Sequence, residues 1–258
     1  MKGIISLPLV PLRESDSERS ELYSQLLFGE QVEIIETRER WLFVRNLSDN
    51  YRGWVDRKMV DLLTSNQEEH LDKLSKNIIQ VPILHGLKKS SNESIFLPGG
   101  SIVRVDKSGN FVIGEDIIQF KYPEINFSQE LSGQHILFLA KQYLNAPYLW
   151  GGKSIFGIDC SGLVQVVYSM CGIQLERDAS EQVESGQVID FLSESMAGDL
   201  AFFENPEGRI IHVGILLNSH QIIHASGWVK IENIDSQGII SSQTGEYTHT
   251  LRIVKRLI

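Results

Sequence analysis

The chain has 258 residues, 42% of them hydrophobic, with 24 Lys plus Arg against 33 Asp plus Glu and a formal charge of −9. That length has room for two or three domains. The acidic balance, without a basic run, argues against a nucleic-acid partner, and no apolar run approaches the ~18 residues of a membrane span.

Cys160 and Cys171 are the only cysteines, which argues against a disulfide framework. The N-terminus carries one basic residue, Lys2, and Pro8 cuts its apolar stretch short, unlike a secretory signal. The expected compartment is therefore the cytoplasm, with a periplasmic or secreted mature chain as the alternative.

Residues 1–64 carry short β-like runs, Gln31–Glu36, Trp41–Arg45 and Tyr51–Val55, separated by polar turns. Several short strands with frequent turns predict a small barrel or sandwich. The run Leu26–Glu30, then Trp41, then Tyr51–Val55 resembles the bacterial SH3-like domain, which implies a binding or positioning module. Trp41, Tyr51 and Trp54 either line a groove or, for the two tryptophans more readily, fill the core. Glu21 sits in a polar stretch, where composition alone favours a solvated carboxylate over one paired with a substrate amine.

Residues 65–127 begin with a polar connector, Thr64–Lys76, that has a weak helical pattern at Leu71 and Leu74. Apolar runs follow at Ile78–Leu84 (broken by Pro82), Ile95–Leu97, Ile102–Val105, Phe111–Ile113 and Ile117–Phe120, with a turn at Pro98-Gly99-Gly100. The expectation is a second, less regular SH3-like module without chemistry of its own. Phe120–Phe127, with Pro123, reads as a linker.

Residues 128–258 open with a helix expected from a Ser128 cap, with Glu130 in its first turn, to about Leu144, ended by Ala146-Pro147. The central stretch is Asp159-Cys160-Ser161-Gly162, which heads the apolar run Leu163–Met170. Asp159 suits a helix N-cap and puts Cys160 in the first turn, where free N–H groups and the helix dipole favour a thiolate. The alternative is a buried structural cysteine. Cys171, beside Gly172, reads as structural.

Strands are expected at Leu200–Phe203, Ile211–Leu217, Gln221–Ala225 and His249–Leu257, giving an α+β layout. A hairpin centred on Ser219 sets residue 214 against 224 and 212 against 226. His212 and His224 then become diagonal neighbours on one face, roughly 7–8 Å apart at Cα. One imidazole can orient the other, the nucleophile–base–orienter arrangement of thiol hydrolases. Gly214, one step along that face, is read as leaving room for Cys160. Either histidine alone reads more simply as a half-buried residue bonded to backbone; the pair on one face does not.

Together, Tyr148–Gly152, Asp159–Val164, Gly198–Phe203, His212–Ile215 and His224–Ser226 resemble the NlpC family of bacterial cell-wall cysteine peptidases. The resemblance implies a papain-like core over residues 128–258, with Cys160 as nucleophile, His212 as base and His224 as the third polar residue. Two preceding SH3-like modules, 1–64 and 65–127, narrow it to the γ-D-glutamyl-L-diamino acid endopeptidases. These cut murein stem peptides that have a free N-terminal L-Ala, one end of the site being closed by the first SH3-like domain. By that resemblance Glu21, Tyr51 and Asp159 meet the amine, Ser161 and Ser180 bind the substrate carboxylate or backbone, and Tyr148 serves the oxyanion. No metal or cofactor is required, the partner is the murein peptide, and a monomer is expected. The rival readings are a zinc hydrolase using Cys160, His212 and His224, a non-catalytic wall-binding protein, and an amidase or acyltransferase on the same core.

Overall fold

Leu9–Arg13 alternates strictly between half-buried and buried residues, the period of a strand with one face in a core. It is the second of seven antiparallel strands: β1 (Lys2–Ile4), β2 (Leu9–Arg13), β3 (Leu22–Leu27), β4 (Gln31–Thr37), β5 (Trp41–Asn46), β6 (Arg52–Asp56) and β7 (Asp61–Leu62). They run β3-β2-β6-β5-β4-β1-β7 around a core that includes Val10, Leu12, Val32, Val44 and Val55. Trp41 and Trp54 are both buried, and Tyr51 packs half-buried against the core. The computed structural model describes residues 1–113, 116–120 and 131–258. The expected linker beyond Phe120, with Pro123, lies outside these, as do the expected cap Ser128 and Glu130.

The polar connector holds a real helix, α1 (Ser65–Asp72), started by a reciprocal capping box between Thr64 and Gln67. Six antiparallel strands follow, β8 (Ser75–Ile78), β9 (Ile83–Lys88), β10 (Ser94–Pro98), β11 (Ile102–Val105), β12 (Phe111–Ile113) and β13 (Asp116–Phe120). Their order is β10-β9-β13-β12-β11-β8. Phe28, from the loop after β3, lies in this second core with Ile79, Leu84 and Leu97. Ile102 N–H donates to the Phe28 carbonyl at 2.8 Å, and Arg104 Nη1 donates to the Gly29 carbonyl at 3.0 Å. Gly29 has φ +80°, and a Cβ there would lie 1.9 Å from the Ile102 carbonyl oxygen, so only glycine lets the two backbones meet. Both sheets belong to one compact unit, Met1–Ser128; Gln129–Ile258 forms the other.

The second unit starts with α2 (Gly133–Lys141), capped by Ser132, whose Oγ accepts from His135 N–H at 3.1 Å. The helix is shorter than expected at its C-terminal end, stopping at Lys141 rather than Leu144. After the short pair β14 (Lys153–Ser154) and β15 (Gly157–Ile158) come α3 (Cys160–Met170) and α4 (Ala179–Gln182). All of α3 except Ser169 is buried, as its all-round apolar sequence requires, and it packs on α2 and the sheet.

That sheet comprises β16 (Gln187–Ile189), β17 (Leu200–Glu204), β18 (Ile210–Asn218), β19 (Gln221–Ser226), β20 (Trp228–Ile234), β21 (Gly238–Ile240) and β22 (Tyr247–Arg256). Its order is β16-β22-β17-β18-β19-β20-β21, and β21 pairs back onto β22. The strands β17 to β22 therefore close into a ring, with β16 outside it. The unit is α+β: helices against an antiparallel sheet. Among the described residues no helix is long and apolar enough to cross a membrane.

Candidate active site

Asp159 organises the start of α3. Its extended backbone (φ −92°, ψ 179°) makes it the N-cap, and Oδ1 accepts from Gly162 N–H at 2.6 Å. Oδ2 accepts from Gly151 N–H at 2.8 Å, fixing the glycine loop that precedes the helix. Arg177 forks onto both oxygens, Nη1 to Oδ1 at 3.0 Å and Nη2 to Oδ2 at 2.5 Å, and Nη1 also reaches Ser161 Oγ at 2.9 Å. Arg177 is 1% exposed and Asp159 4% exposed, so this is a fully desolvated bidentate pair. Gln182 Nε2 donates to the Ser161 carbonyl at 3.1 Å. A Cβ on Gly162 would lie 2.4 Å from the Gly152 carbonyl oxygen, so the residue two after the cysteine has to be glycine for the loop to pass.

Cys160 is buried by this arrangement. Burial pushes its thiol up to about 11, the Asp159 charge adds to that, and the N–H groups of Val213 and Ser161 pull the other way. This corrects the expectation of a thiolate favoured by the helix start: desolvation of the anion outweighs the N–H groups there. A lone thiol in this position stays protonated at neutral pH and needs a base beside it. Tyr148 is held up to about 12, by burial first and then by Cys160 and Asp159, so it keeps a proton to donate.

The β18–β19 ladder pairs Ile215 with Ile223 and Leu216 with Ile222, the register of a hairpin centred on residue 219, with an irregularity between Leu216 and Asn218. His212 Nε2 lies 2.9 Å from His224 Nδ1, with the rings edge to face. Val213 N–H points at the Cys160 sulfur, which brings the strand carrying His212 against the thiol. Gly214 serves a different purpose from the one expected. A Cβ there would meet Ile222 Cδ1 at 2.7 Å and His224 Cβ at 2.9 Å, so its nearest neighbours are those side chains rather than Cys160.

Four residues escaped the sequence reading. Glu232 is buried and accepts from His224 Nε2 at 2.9 Å through Oε2, and from Ser242 N–H and Oγ at 2.9 and 3.1 Å through Oε1. His224 pairs with Lys230, so residue 232 is its diagonal neighbour. Lys230 Nζ lies 3.4 Å from the Glu232 carboxylate and 4.7 Å from the Trp228 ring centre. His249 stacks on His212, ring centres 4.1 Å apart. Arg177 stands one residue before Asp178, with nothing local to reveal its partner 18 positions upstream.

Burial lowers all three histidines, His212 well below its ordinary value and His249 to about 4. Burial raises Glu232, but hydrogen bonds from His224 and Ser242 outweigh it and hold the carboxyl at about 2. A histidine depressed in the folded state favours folding above its unfolded value of ~6.5, and that contribution is lost as pH falls below it. The melting temperature of this unit is therefore expected to fall between pH 7 and 4. His249→Phe keeps a ring on His212 without a titrating nitrogen and should flatten that fall; melts at stepped pH measure it.

Ser180, on the first turn of α4, is exposed, whereas the Ser161 hydroxyl is buried under Arg177. Glu21 is exposed just before β3, its carbonyl accepting from Glu14 N–H at 3.1 Å. Tyr51 lies edge-on to Tyr23, with ring centres 6.4 Å apart. Glu21 and Tyr51 belong to the first unit. Cys160, Tyr148, Asp159 and Ser161 gather at the start of α3, and His212 and His224 meet on the facing strands.

A cysteine heading a buried helix against a sheet that carries a bonded histidine pair is the layout of a thiol hydrolase. The profile described as NlpC/P60 family matches residues 145–248, and that of the bacterial dipeptidyl-peptidase Sh3 domain matches residues 12–59. Dipeptidyl-peptidase 6 of Lysinibacillus sphaericus is 30% identical over 92% of this chain and 93% of its own length. The chain belongs to the NlpC/P60 family of cysteine peptidases, with an SH3-like domain ahead of the peptidase domain. The γ-D-glutamyl-L-lysine dipeptidyl-peptidase of Bacillus subtilis (strain 168) is 28% identical, covering 79% of this chain and 72% of its own. The crystal structure of an NlpC/P60 family protein from Bacillus cereus ATCC 10987 shares the fold, with a TM-score of 0.83 over 100% of this chain and 99% of that one at 18% identity.

Proposed function

We propose that this protein hydrolyses the γ-D-glutamyl–L-diamino acid bond of peptidoglycan stem peptides whose N-terminal L-Ala is free. The observation that carries the chemistry is the Val213 N–H at the Cys160 sulfur, next to a His212 whose Nε2 is already committed to His224. That leaves His212 Nδ1 to take the thiol proton. The substrate rests on resemblance: relatives matched over most of this chain bear dipeptidyl-peptidase names, two of them for γ-D-glutamyl-L-lysine.

In the proposed reaction the Cys160 proton moves to His212 Nδ1 and the sulfur attacks the γ-glutamyl carbonyl. Tyr148 O–H and the Cys160 N–H hold the oxyanion. His212 returns the proton to the leaving diamino-acid amine, and the same imidazole then draws a proton from the water that hydrolyses the thioester. Glu21, Tyr51 and Asp159 are the proposed amine site. Arg177 already balances the Asp159 charge. Ser161 and Ser180 are proposed to bind the substrate carboxylate or backbone.

The domain reading that goes with this is 1–64 and 65–127 as SH3-like modules and 128–258 as a papain-like peptidase, acting as a monomer on imported murein peptides in the cytoplasm. A zinc site is less well supported, because the facing nitrogens of His212 and His224 are spent on each other and His224 Nε2 on Glu232.

Mass spectrometry of L-Ala-γ-D-Glu-diamino-acid peptides, beside N-acetylated copies, tests the proposal. Cleavage of only the free-amine peptide is expected. Equal cleavage of both sinks the amine site, and no cleavage of either redirects attention to the amidase, acyltransferase or wall-binding readings.

A further inference from the structure

We propose that Glu232 is a positioning residue that sets the protons on both histidines, so that His212 meets Cys160 with an unprotonated Nδ1. The inference rests on Cys160 and His212 acting as nucleophile and base. An ionised carboxylate only accepts hydrogen bonds. Oε1 is taken by the N–H and hydroxyl of Ser242, and Oε2 faces His224 Nε2 at 2.9 Å. His224 Nε2 therefore carries the proton, and its Nδ1 carries a lone pair. His212 Nε2, 2.9 Å from that lone pair, has to be the donor, which leaves the lone pair of His212 on Nδ1. One carboxylate thus orients two successive hydrogen bonds and the basicity of a nitrogen two rings away.

Without that anchor the two histidines bond equally well in the opposite sense. In that sense His212 presents Nδ1–H, which cannot accept the thiol proton. When Cys160 does pass its proton to Nδ1, the thiol S–H bond breaks and a thiolate and an imidazolium form. The imidazolium still donates from Nε2 to His224, which still donates to Glu232. Lys230 and His249 face the same cluster and oppose a further positive charge; Glu232 supplies the negative one.

The test uses Glu232→Gln in a Cys171→Ser background, so that Cys160 is the thiol that alkylates. Ser242 N–H holds the glutamine carbonyl, which turns the amide NH2 toward His224 and reverses the chain of protons. The expected result is a fall in kcat on the order of 10²–10⁴-fold, as for other wrong-tautomer histidines, with KM changed less than about twofold. Alkylation of Cys160 by iodoacetamide at neutral pH should fall at least ~10-fold and recover only in the alkaline range of an unassisted buried thiol.

Imidazole ¹⁵N spectra of the unsubstituted protein should show His212 and His224 both as Nε2–H tautomers, a readout that survives if the variant fails to fold. An unchanged kcat and alkylation profile in the folded variant, or an Nδ1–H tautomer at His224, overturns the inference. Alkylation and tautomer readouts involve no peptide. A shifted alkylation profile without stem-peptide cleavage therefore sinks the substrate proposal and keeps this one; cleavage with an unmoved profile does the reverse.

Discussion

Cys160→Ala is expected to lower stem-peptide turnover by on the order of 10⁴-fold or more while the fold stays intact. In the proposed reaction the sulfur is the atom that bonds to the carbonyl, and the adjacent hydroxyl, Ser161 Oγ, is buried under Arg177. Alanine suits the first turn of α3, and the Asp159 cap and its contacts do not involve the thiol. His212→Ala should cost nearly as much, and the double variant little more than either single one, because nucleophile and base work as a unit. Progress curves of peptide cleavage, set against thermal melts of the same samples, measure both. A Cys160→Ala protein that keeps more than about a hundredth of the activity defeats the assignment, since loss of a nucleophile costs far more than that.

Arg177→Met is expected to cost about 3–5 kcal/mol in urea unfolding, because it strands the Asp159 carboxylate in the interior with no cation. Methionine fills similar space, so the loss comes from charge rather than from a cavity. Asp159→Asn on top of Arg177→Met removes the stranded charge and should recover part of that energy. Recovery identifies the buried ion pair as the cause; additive losses point instead to packing. The single variant should also lose activity, since the same carboxylate caps the helix that carries Cys160 and holds the loop at Gly151.

The start of α3 was legible because its signal is local: a cap residue, a cysteine, two small residues and an apolar run. The β18–β19 register was legible because its turn is short and the flanking strands are strongly apolar. Partners contributed from a distance were not. Glu232 lies in Trp228–Ile234, where Lys230, Glu232 and Asn233 blur the strand pattern, and its burial shows only once β20 is laid beside β19. His249 reaches His212 from a strand 37 positions further on.

In the first unit β2 is a strand despite Pro11, a residue type that argues against one. It is tolerated because β2 meets β6 only at Arg13, so Pro11 faces no ladder on that side. Two neighbouring serines illustrate the limit at a helix start. Ser128 and Ser132 suit a cap equally by residue type, and the observed helix begins after Ser132.

The closure of the sheet bears on how the molecule is made. β22 pairs with β17 along one edge, while β16 and β21 share the other, so the ring is complete only when this strand is in place. β22 follows every other ring strand in the sequence, and it carries the His249 ring that lies on His212. A nascent chain emerging N-terminus first can form α3 and the hairpin that bears both other histidines before β22 exists, but it cannot seal the ring around them. Closure of the ring is thereby coupled to the end of this domain's synthesis, because the strand made last completes it.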